Sequence, residues 1–353
     1  MEIKTLEWKH NAVVIIDQTL LPGKLKYLHI KDVLALWQAI KELKVRGAPA
    51  LGAAAAFGVY LGVKDSQTTD SRDFLRLVKK VSEYLGSSRP TAINLFWGLN
   101  RMRRAAQSCI DQSVVFIKER LFQEACAIIE EDRVACRNIG KFGATLIRDN
   151  DTLLTVCNAG ILATIDYGTA LGVMYRAKDE GRRFKVYACE TRPLLQGARL
   201  TSWELKKKRI DVTLICDNMA ASLMQQGKIS KVIAGADRIA VNGDAANKIG
   251  TYSLAVLCHY HKVPFYIAAP LSSFDIKIKS GRQIPVEERS GLEITELFFK
   301  RPIAASGVKV YNPAFDVTPH ELITAIITDA GIIRAPYALK IREKLTPRQA
   351  RGE

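Results

Sequence analysis

Residues 235–252 read Gly-Ala-Asp-Arg-Ile-Ala-Val-Asn-Gly-Asp-Ala-Ala-Asn-Lys-Ile-Gly-Thr-Tyr and follow directly on the apolar run Lys231-Val232-Ile233-Ala234. A strand-like run that ends in Gly-x-Asp and continues through a polar, glycine-containing loop to Asn247-Lys248 sets a carboxylate and an ammonium group where a strand gives way to a loop. Open α/β sheets carry their chemistry at such junctions. Asp237 is the candidate general acid or base: it follows an apolar stretch, so desolvation would raise its pKa and keep it protonated near neutrality. Arg238 would oppose this if it lay close, but successive strand residues point to opposite faces. The competing role is a carboxylate that merely closes a turn.

Cys157 stands at a second junction of this kind, after Thr152-Leu153-Leu154-Thr155-Val156 and before Asn158-Ala159-Gly160 and a helix-like segment. Amide donors and the positive end of a helix dipole favour a thiolate at such a position. A cysteine also serves as a small apolar core residue, and both readings stand. For an anion, Val45-Arg46-Gly47-Ala48-Pro49 precedes an alanine-rich, helix-like run. Arg46 supplies a guanidinium, Gly47 lets the backbone approach closely, and Pro49 at a helix start leaves neighbouring N–H groups to receive phosphate. Arg89 and Lys248 add cations, and Gln196, Asn218 and Asn247 add amides suited to sugar hydroxyls. Glu190 to Leu205 combines a strand-end carboxylate, two arginines and a glutamine, although a capped helix start would look similar.

These side chains need elements to position them. Val13-Val14-Ile15-Ile16-Asp17, followed by a Leu21-Pro22-Gly23 turn, reads as an opening strand. Helical periodicity then covers residues 32–44, 48–61, 71–85, 92–107 and a long stretch from about Ser113 to Arg148. After Asp149-Asn150-Asp151 the pattern changes to short β-rich runs at residues 152–156, 185–188, 211–215, 231–234 and 263–268, mostly separated by helix-length segments. Alternation of this kind predicts a parallel sheet covered on both faces. The expected fold is therefore α/β. A mostly helical N-terminal domain with a small β element (1–130) precedes a Rossmann-like, doubly wound parallel-sheet catalytic domain (131–353). Each β-run is followed by polar, turn-forming or ionisable residues, which predicts one site assembled from several loops.

Composition narrows the function classes. The 353 residues are 48% hydrophobic, and no apolar run approaches the ~20 residues that span a bilayer. The N-terminal residues mix both signs of charge, unlike a secretory signal, so a cytoplasmic protein with no membrane partner is expected. The seven cysteines are scattered, with no C-x-x-C pair and no histidine at ligand spacing. Neither a disulfide framework nor a metal site is expected. A net charge of +16 invites a nucleic-acid reading, but the basic residues are dispersed. The dense run Lys206-Lys207-Lys208-Arg209 reads as a solvated surface, and the excess charge suits an anionic substrate. Nucleotide cofactors lack motif support, since G-x-G-x-x-G does not follow the first β-run and a P-loop is missing. The terminal residues 345–353 read as a flexible end.

Taken together, these segments resemble the methylthioribose-1-phosphate isomerases of the methionine salvage pathway, within the larger family that includes regulatory subunits of the eukaryotic translation-initiation nucleotide exchange factor. The resemblance rests on IDQTLLP (16–22), VRGAPALG (45–52), SSRPTAINLFWGLNRM (87–102), TVCNAGILAT (155–164), ETRPLLQGARLTSWEL (190–205), CDNMA (216–220), GADRIAVNGDAANKIGTY (235–252), IPVEERS (284–290) and NPAFDVTPHELITAIITDAGII (312–333). It implies that Cys157 and Asp237 form a catalytic pair. Arg46, Gly47, Ala48, Arg89, Gln196, Asn247 and Lys248 become substrate contacts, chiefly to phosphate and hydroxyls. It further implies a homodimer, a small sugar-phosphate substrate, no cofactor and no nucleic-acid partner. Ser202 and Ser273, where relatives tend to carry Ala and Thr, disturb none of these roles.

The implied chemistry suits the residues. An aldose 1-phosphate has its anomeric carbon locked by phosphate, so ring opening must be assisted. Asp237 would protonate the ring oxygen while Cys157 assists hydrogen transfer from C2 to C1. Other aldose phosphates, namely 5-deoxyribose 1-phosphate and ribose 1,5-bisphosphate, are the neighbouring alternatives. A non-catalytic regulatory protein of the translation-factor type is the alternative from another class.

Overall fold

The computed structural model describes residues 3–349. Contacts divide the chain into two compact units. The first comprises residues up to Cys136 together with Ile161–Gly168, and the second comprises Arg137–Gly160 together with the residues from Thr169 onward.

In the first unit, β1 (Leu6–Lys9), β2 (Ala12–Ile16) and β3 (Tyr27–Ile30) form an antiparallel meander in which Ile15 pairs with Leu6 and Leu28. The sequence reading found only the middle strand, because β2 is buried throughout whereas β1 and β3 carry solvent-facing polar residues. Five helices follow: α1 (Val33–Lys41), α2 (Ala48–Val63), α3 (Ser71–Gly86), α4 (Ile93–Gln107) and α5 (Val114–Ala144), whose last residues belong to the second unit. Asp32 caps α1 by accepting the Ala35 N–H at 2.8 Å, and Asp70 caps α3 through the Asp73 N–H at 2.8 Å. α2 has apolar residues on every side and is buried along almost its whole length, as a central helix must be. Glycines bring α4 close against it: a Cβ on Gly98 would stand 2.4 Å from the Gly52 carbonyl oxygen.

The second unit contains β4 (Thr152–Thr155), α6 (Ala170–Asp179), β5 (Lys185–Cys189), α7 (Ser202–Lys207), β6 (Asp211–Ile215), α8 (Ala220–Gln225), β7 (Lys231–Ala234), β8 (Arg238–Ala240), β9 (Ala245–Lys248), α9 (Thr251–His261), β10 (Phe265–Ala268), β11 (Phe274–Asp275), α10 (Leu292–Thr295), β12 (Phe315–Thr318), β13 (Ala325–Thr328), β14 (Gly331–Ile333) and α11 (Tyr337–Gln349). The main sheet has the order β14-β13-β10-β7-β4-β5-β6, with every neighbour parallel except the β13–β14 hairpin. Numbered along the chain, its parallel strands stand in the order 3-2-1-4-5-6, that of Rossmann-type doubly wound sheets. Strand order reverses between β4 and β7, which pair through Leu154 and Val232. The buried faces of these strands join α8, α9 and α11 in one core around Val232, Ile267 and Ile326.

Two expectations need correction. Residues 238–248 are not simply a loop: β8 and β9 form a hairpin within a second sheet of order β11-β8-β9-β12. The signal was present, since Asn242-Gly243 lies between short apolar runs and Gly243 has φ +96°, a recognised hairpin turn chemistry. The terminal segment read as flexible is helical as far as Gln349, and its residues 350–353 lie outside the described ones.

Candidate active site

Cys157 follows β4 with φ +61°, a left-handed conformation that a side-chain-bearing residue adopts only when its surroundings hold it there. The holding groups are visible. Its N–H donates to Thr191 Oγ1 at 2.8 Å, and its carbonyl accepts from Thr201 Oγ1 at 2.5 Å. Thr191, itself at φ +67°, gives its own N–H to Asp217 Oδ1 at 2.8 Å, and Arg192 N–H goes to Asp217 Oδ2 at 2.8 Å. The ends of β4, β5 and β6 are thereby tied together. The sequence pointed to exposed Asn218 in this stretch. The neighbouring Asp217 is the organising residue, and an acid after a strand end with backbone amides to satisfy was the signal for it.

Asp237 lies between β7 and β8, where its N–H donates to Ala246 O at 2.9 Å. It is half-buried. Arg238 turns elsewhere and pairs with buried Asp275 at 2.9 Å, as alternation along a strand requires. The loops carrying Cys157 and Asp237 converge: a Cβ on Gly235 would stand 2.8 Å from Ala159 Cβ, and Thr155 Oγ1 donates to Ile233 O at 2.8 Å. The two residues thus follow the strands that flank the point where strand order reverses, the place where doubly wound sheets open a ligand crevice.

Asn247 and Lys248 are both buried on β9. Asn247 Nδ2 donates to Thr251 Oγ1 at 2.9 Å, and Lys248 Nζ donates to Ala314 O at 2.7 Å and lies 4.5 Å from the Phe315 ring centre. Beside them Asp316 accepts the Gly250 and Tyr252 N–H groups at 2.7 and 3.1 Å. Burial nevertheless pushes its carboxyl up to about 6, outweighing those donors and the Lys248 ammonium. Gln196 is buried at the start of a π-helical stretch, Gly197–Thr201, and its Oε1 has no hydrogen-bond partner among the described residues. Such stretches recur at functional sites, and an unsatisfied buried amide oxygen is an acceptor suited to a ligand hydroxyl.

The first unit holds the remaining residues. Arg46 is buried and donates from Nε to Gln18 Oε1 at 3.1 Å, while Gln18 Nε2 donates to Leu162 O at 2.7 Å. Gln18, within the IDQTLLP block, is a positioning residue that sequence reasoning had not singled out. Gly47 precedes α2 with φ +95°, and a Cβ there would stand 2.4 Å from Ala163 Cα and O. The turn can therefore hold only glycine. Ala48 and Pro49 open the helix, and no side chain caps it among the described residues. This is the uncapped, positive helix start expected of an anion site. Arg89 is half-buried ahead of α4.

Among the described residues one group brings three possible cation ligands together: Asp244, His320 and Glu321 have ligand atoms within 4.8 Å of one another. Asp244 is already engaged, accepting the Gly281 and His320 N–H groups at 2.8 and 2.9 Å and facing His320 Nδ1 at 2.8 Å. Burial works to raise its pKa, but hydrogen bonds from Asn242, Gly281 and His320 prevail and hold it below the usual carboxylate range. We assign the cluster to fastening these loops together.

Comparison with known proteins places this arrangement. The chain is 54% identical over 335 residues to methylthioribose-1-phosphate isomerase 1 of Pseudothermotoga lettingae, covering 94% of this chain and 95% of that protein. It is 52% identical over 343 residues to a 5-deoxyribose 1-phosphate isomerase of Moorella thermoacetica, covering 97% of each. The crystal structure of 5-methylthioribose 1-phosphate isomerase from Pyrococcus horikoshii superposes with a TM-score of 0.88 at 45% identity, covering 98% of this chain and 96% of that one. A structure described as translation initiation factor eIF-2B subunit delta, from A. fulgidus, gives 0.86 at 46% identity, covering 98% and 99%. Residues 44–335 match the Initiation factor 2 subunit family, and with that match and these relatives the chain belongs to this family.

Proposed function

We propose that the chain is an aldose–ketose isomerase that converts 5-methylthioribose 1-phosphate to 5-methylthioribulose 1-phosphate, a methionine-salvage reaction of the cytoplasm. The observation that carries this reading is the placement of Cys157 and Asp237 after the two strands that flank the sheet's reversal point. A purely regulatory protein has no need of a thiol held at positive φ and a carboxyl at the same crevice. The relatives named as sugar-phosphate isomerases supply the reaction class.

In this mechanism Asp237 gives a proton to the ring oxygen and opens the furanose, which the phosphate on C1 otherwise keeps closed. The C1 carbon becomes electrophilic as the ring bond breaks, and hydrogen passes from C2 to C1 with assistance from Cys157. Asp237 then recovers a proton from the C2 hydroxyl as the ketone forms. The family resemblance assigns Arg46, the Gly47–Ala48 turn, Arg89 and Lys248 to the phosphate and Gln196 and Asn247 to the hydroxyls, cations and amides of the types those groups call for. None of these steps calls for a cofactor.

Phosphorus and proton NMR of the protein with 5-methylthioribose 1-phosphate, beside Cys157→Ser and Asp237→Asn, tests the reading. Conversion by the wild type and its loss in both variants is expected; near-normal turnover by Asp237→Asn would remove that assignment. The hydrogen could travel as a hydride directly from C2 to C1 or as a proton through a phosphoenolate, and running the reaction in deuterated water separates these routes: deuterium at C1 of the product would count against direct hydride transfer. 5-Deoxyribose 1-phosphate is the second substrate to assay, because a relative named for it is 52% identical over nearly the whole chain. Comparison of kcat/KM for the two sugars decides between them. The reading includes a homodimer, which sedimentation equilibrium checks.

A further inference from the structure

Beneath the Cys157 loop lies a buried carboxylate that the proposed chemistry does not use. Glu204, in α7, is 1% exposed. Its Oε1 accepts from Asn158 Nδ2 at 2.8 Å and its Oε2 from the fully buried Tyr175 hydroxyl at 2.8 Å. The same Asn158 Nδ2 lies 3.2 Å from Thr201 Oγ1, and that hydroxyl donates to the Cys157 carbonyl at 2.5 Å. Thr201 and Glu204 stand three residues apart where the π-helical stretch passes into α7, a spacing that presents both on one face. The loop is pressed onto the carboxylate as well, since a Cβ on Gly160 would stand 2.3 Å from Glu204 Oε2.

A buried carboxylate is costly unless its oxygens are satisfied, and a network of this kind specifies one arrangement of the groups it joins. Here the joined groups are the residues on either side of the peptide bond after Cys157. From this geometry we infer that Glu204 is the positioning residue of the Cys157 loop, fixing the direction of the thiol through Asn158 and Thr201. Thr191 holds the amide side of Cys157; the Glu204 network holds the carbonyl side. Glu204 is given no chemical step in this scheme and acts through its neighbours. The inference rests on the proposed role of Cys157 in isomerisation, but its principal test needs no substrate.

That test is peptide-resolved alkylation of Cys157 by iodoacetamide across a pH series, in the wild type, Glu204→Ala and Glu204→Gln, with exposed Cys216 as internal standard. Loss of the carboxylate frees the loop from its left-handed conformation. Cys157 alkylation in Glu204→Ala is expected to rise about fivefold or more with an altered pH profile, while Cys216 stays unchanged. Glu204→Gln, which keeps an acceptor for Asn158, is expected to recover most of the difference. In turnover, Glu204→Ala should lose kcat on the order of a hundredfold with little change in KM, the mark of misplaced rather than missing binding groups. If the wild type turns over neither sugar, the isomerase reading fails while the alkylation result still decides the role of Glu204. Superposable Cys157 profiles in wild type and folded Glu204→Ala overturn the inference. Should Glu204→Ala not fold, Thr201→Val decides: a smaller shift in the same direction supports it, and unchanged Cys157 reactivity overturns it.

Discussion

Gly235 and Ala159 touch across the reversal point of the main sheet, so closely that a Cβ on Gly235 would lie 2.8 Å from that of Ala159. The contact sets the spacing between the loops that end in Cys157 and Asp237. Gly235→Ala should therefore reduce kcat on the order of a hundredfold, because the displacement needed to relieve the clash falls on both proposed catalytic residues. Steady-state kinetics beside a thermal melt checks this; the melt is expected to move by only a few degrees.

Gly47→Ala is expected to be costly in a different way. The residue would have to hold φ +95° and place a methyl group 2.4 Å from the Ala163 backbone. Strain at one such position costs ~1–3 kcal/mol before the clash is added, so chemical denaturation should show a loss of at least that size.

Much of this was legible in the sequence. The five first-unit helices stand where helical periodicity placed them, each burying an apolar face, and β4, β5, β7 and β10 stand where short apolar runs did; β6, also found, is an edge strand that buries only Ile215. Cys157 and Asp237 were singled out by type and by their place after apolar runs, and the structure puts them after β4 and β7; Gln196, singled out by type, opens the π-helical stretch. What escaped were side chains whose work is to hold others. Thr191, Thr201, Asp217 and Glu204 have ordinary types for helix starts and turns, and only the fold reveals that they converge on one loop. The sheet formed by β8, β9, β11 and β12 escaped for another reason: its strands are short, and partners such as Lys248 and Phe315 are far apart in sequence.

Lys248→Met keeps the apolar stem against Phe315 but removes the ammonium group. If Lys248 contacts phosphate, KM should rise at least about tenfold with a smaller effect on kcat. Titration calorimetry with inorganic phosphate gives the same comparison without turnover.

Asp316 predicts a pH dependence of stability. Its folded pKa of about 6 lies above the value of ~3.9 in an unfolded chain. The native state therefore binds this proton more tightly, and the contribution is full below about pH 4 and lost as pH rises through about 6. Relative to Asp316→Asn, the wild type should lose ~2 kcal/mol between those limits, after allowance for screening of a half-buried group. Urea unfolding of both proteins at several pH values checks the sign, and a difference that grows in the opposite direction refutes it.

The pairing of β9 with β12 also bears on how the protein is made. Asn247 and Lys248 leave the ribosome well before Phe315–Thr318, the strand that completes their ladder, and β10 can join β7 before β13 exists to flank it. Chain closure over such separations is slow compared with local helix formation. The nascent chain should thus hold the first unit's helices early and acquire an ordered Lys248 only when synthesis has passed residue 318. Truncations ending before β12 would leave an apolar, half-built sheet for chaperones to shield.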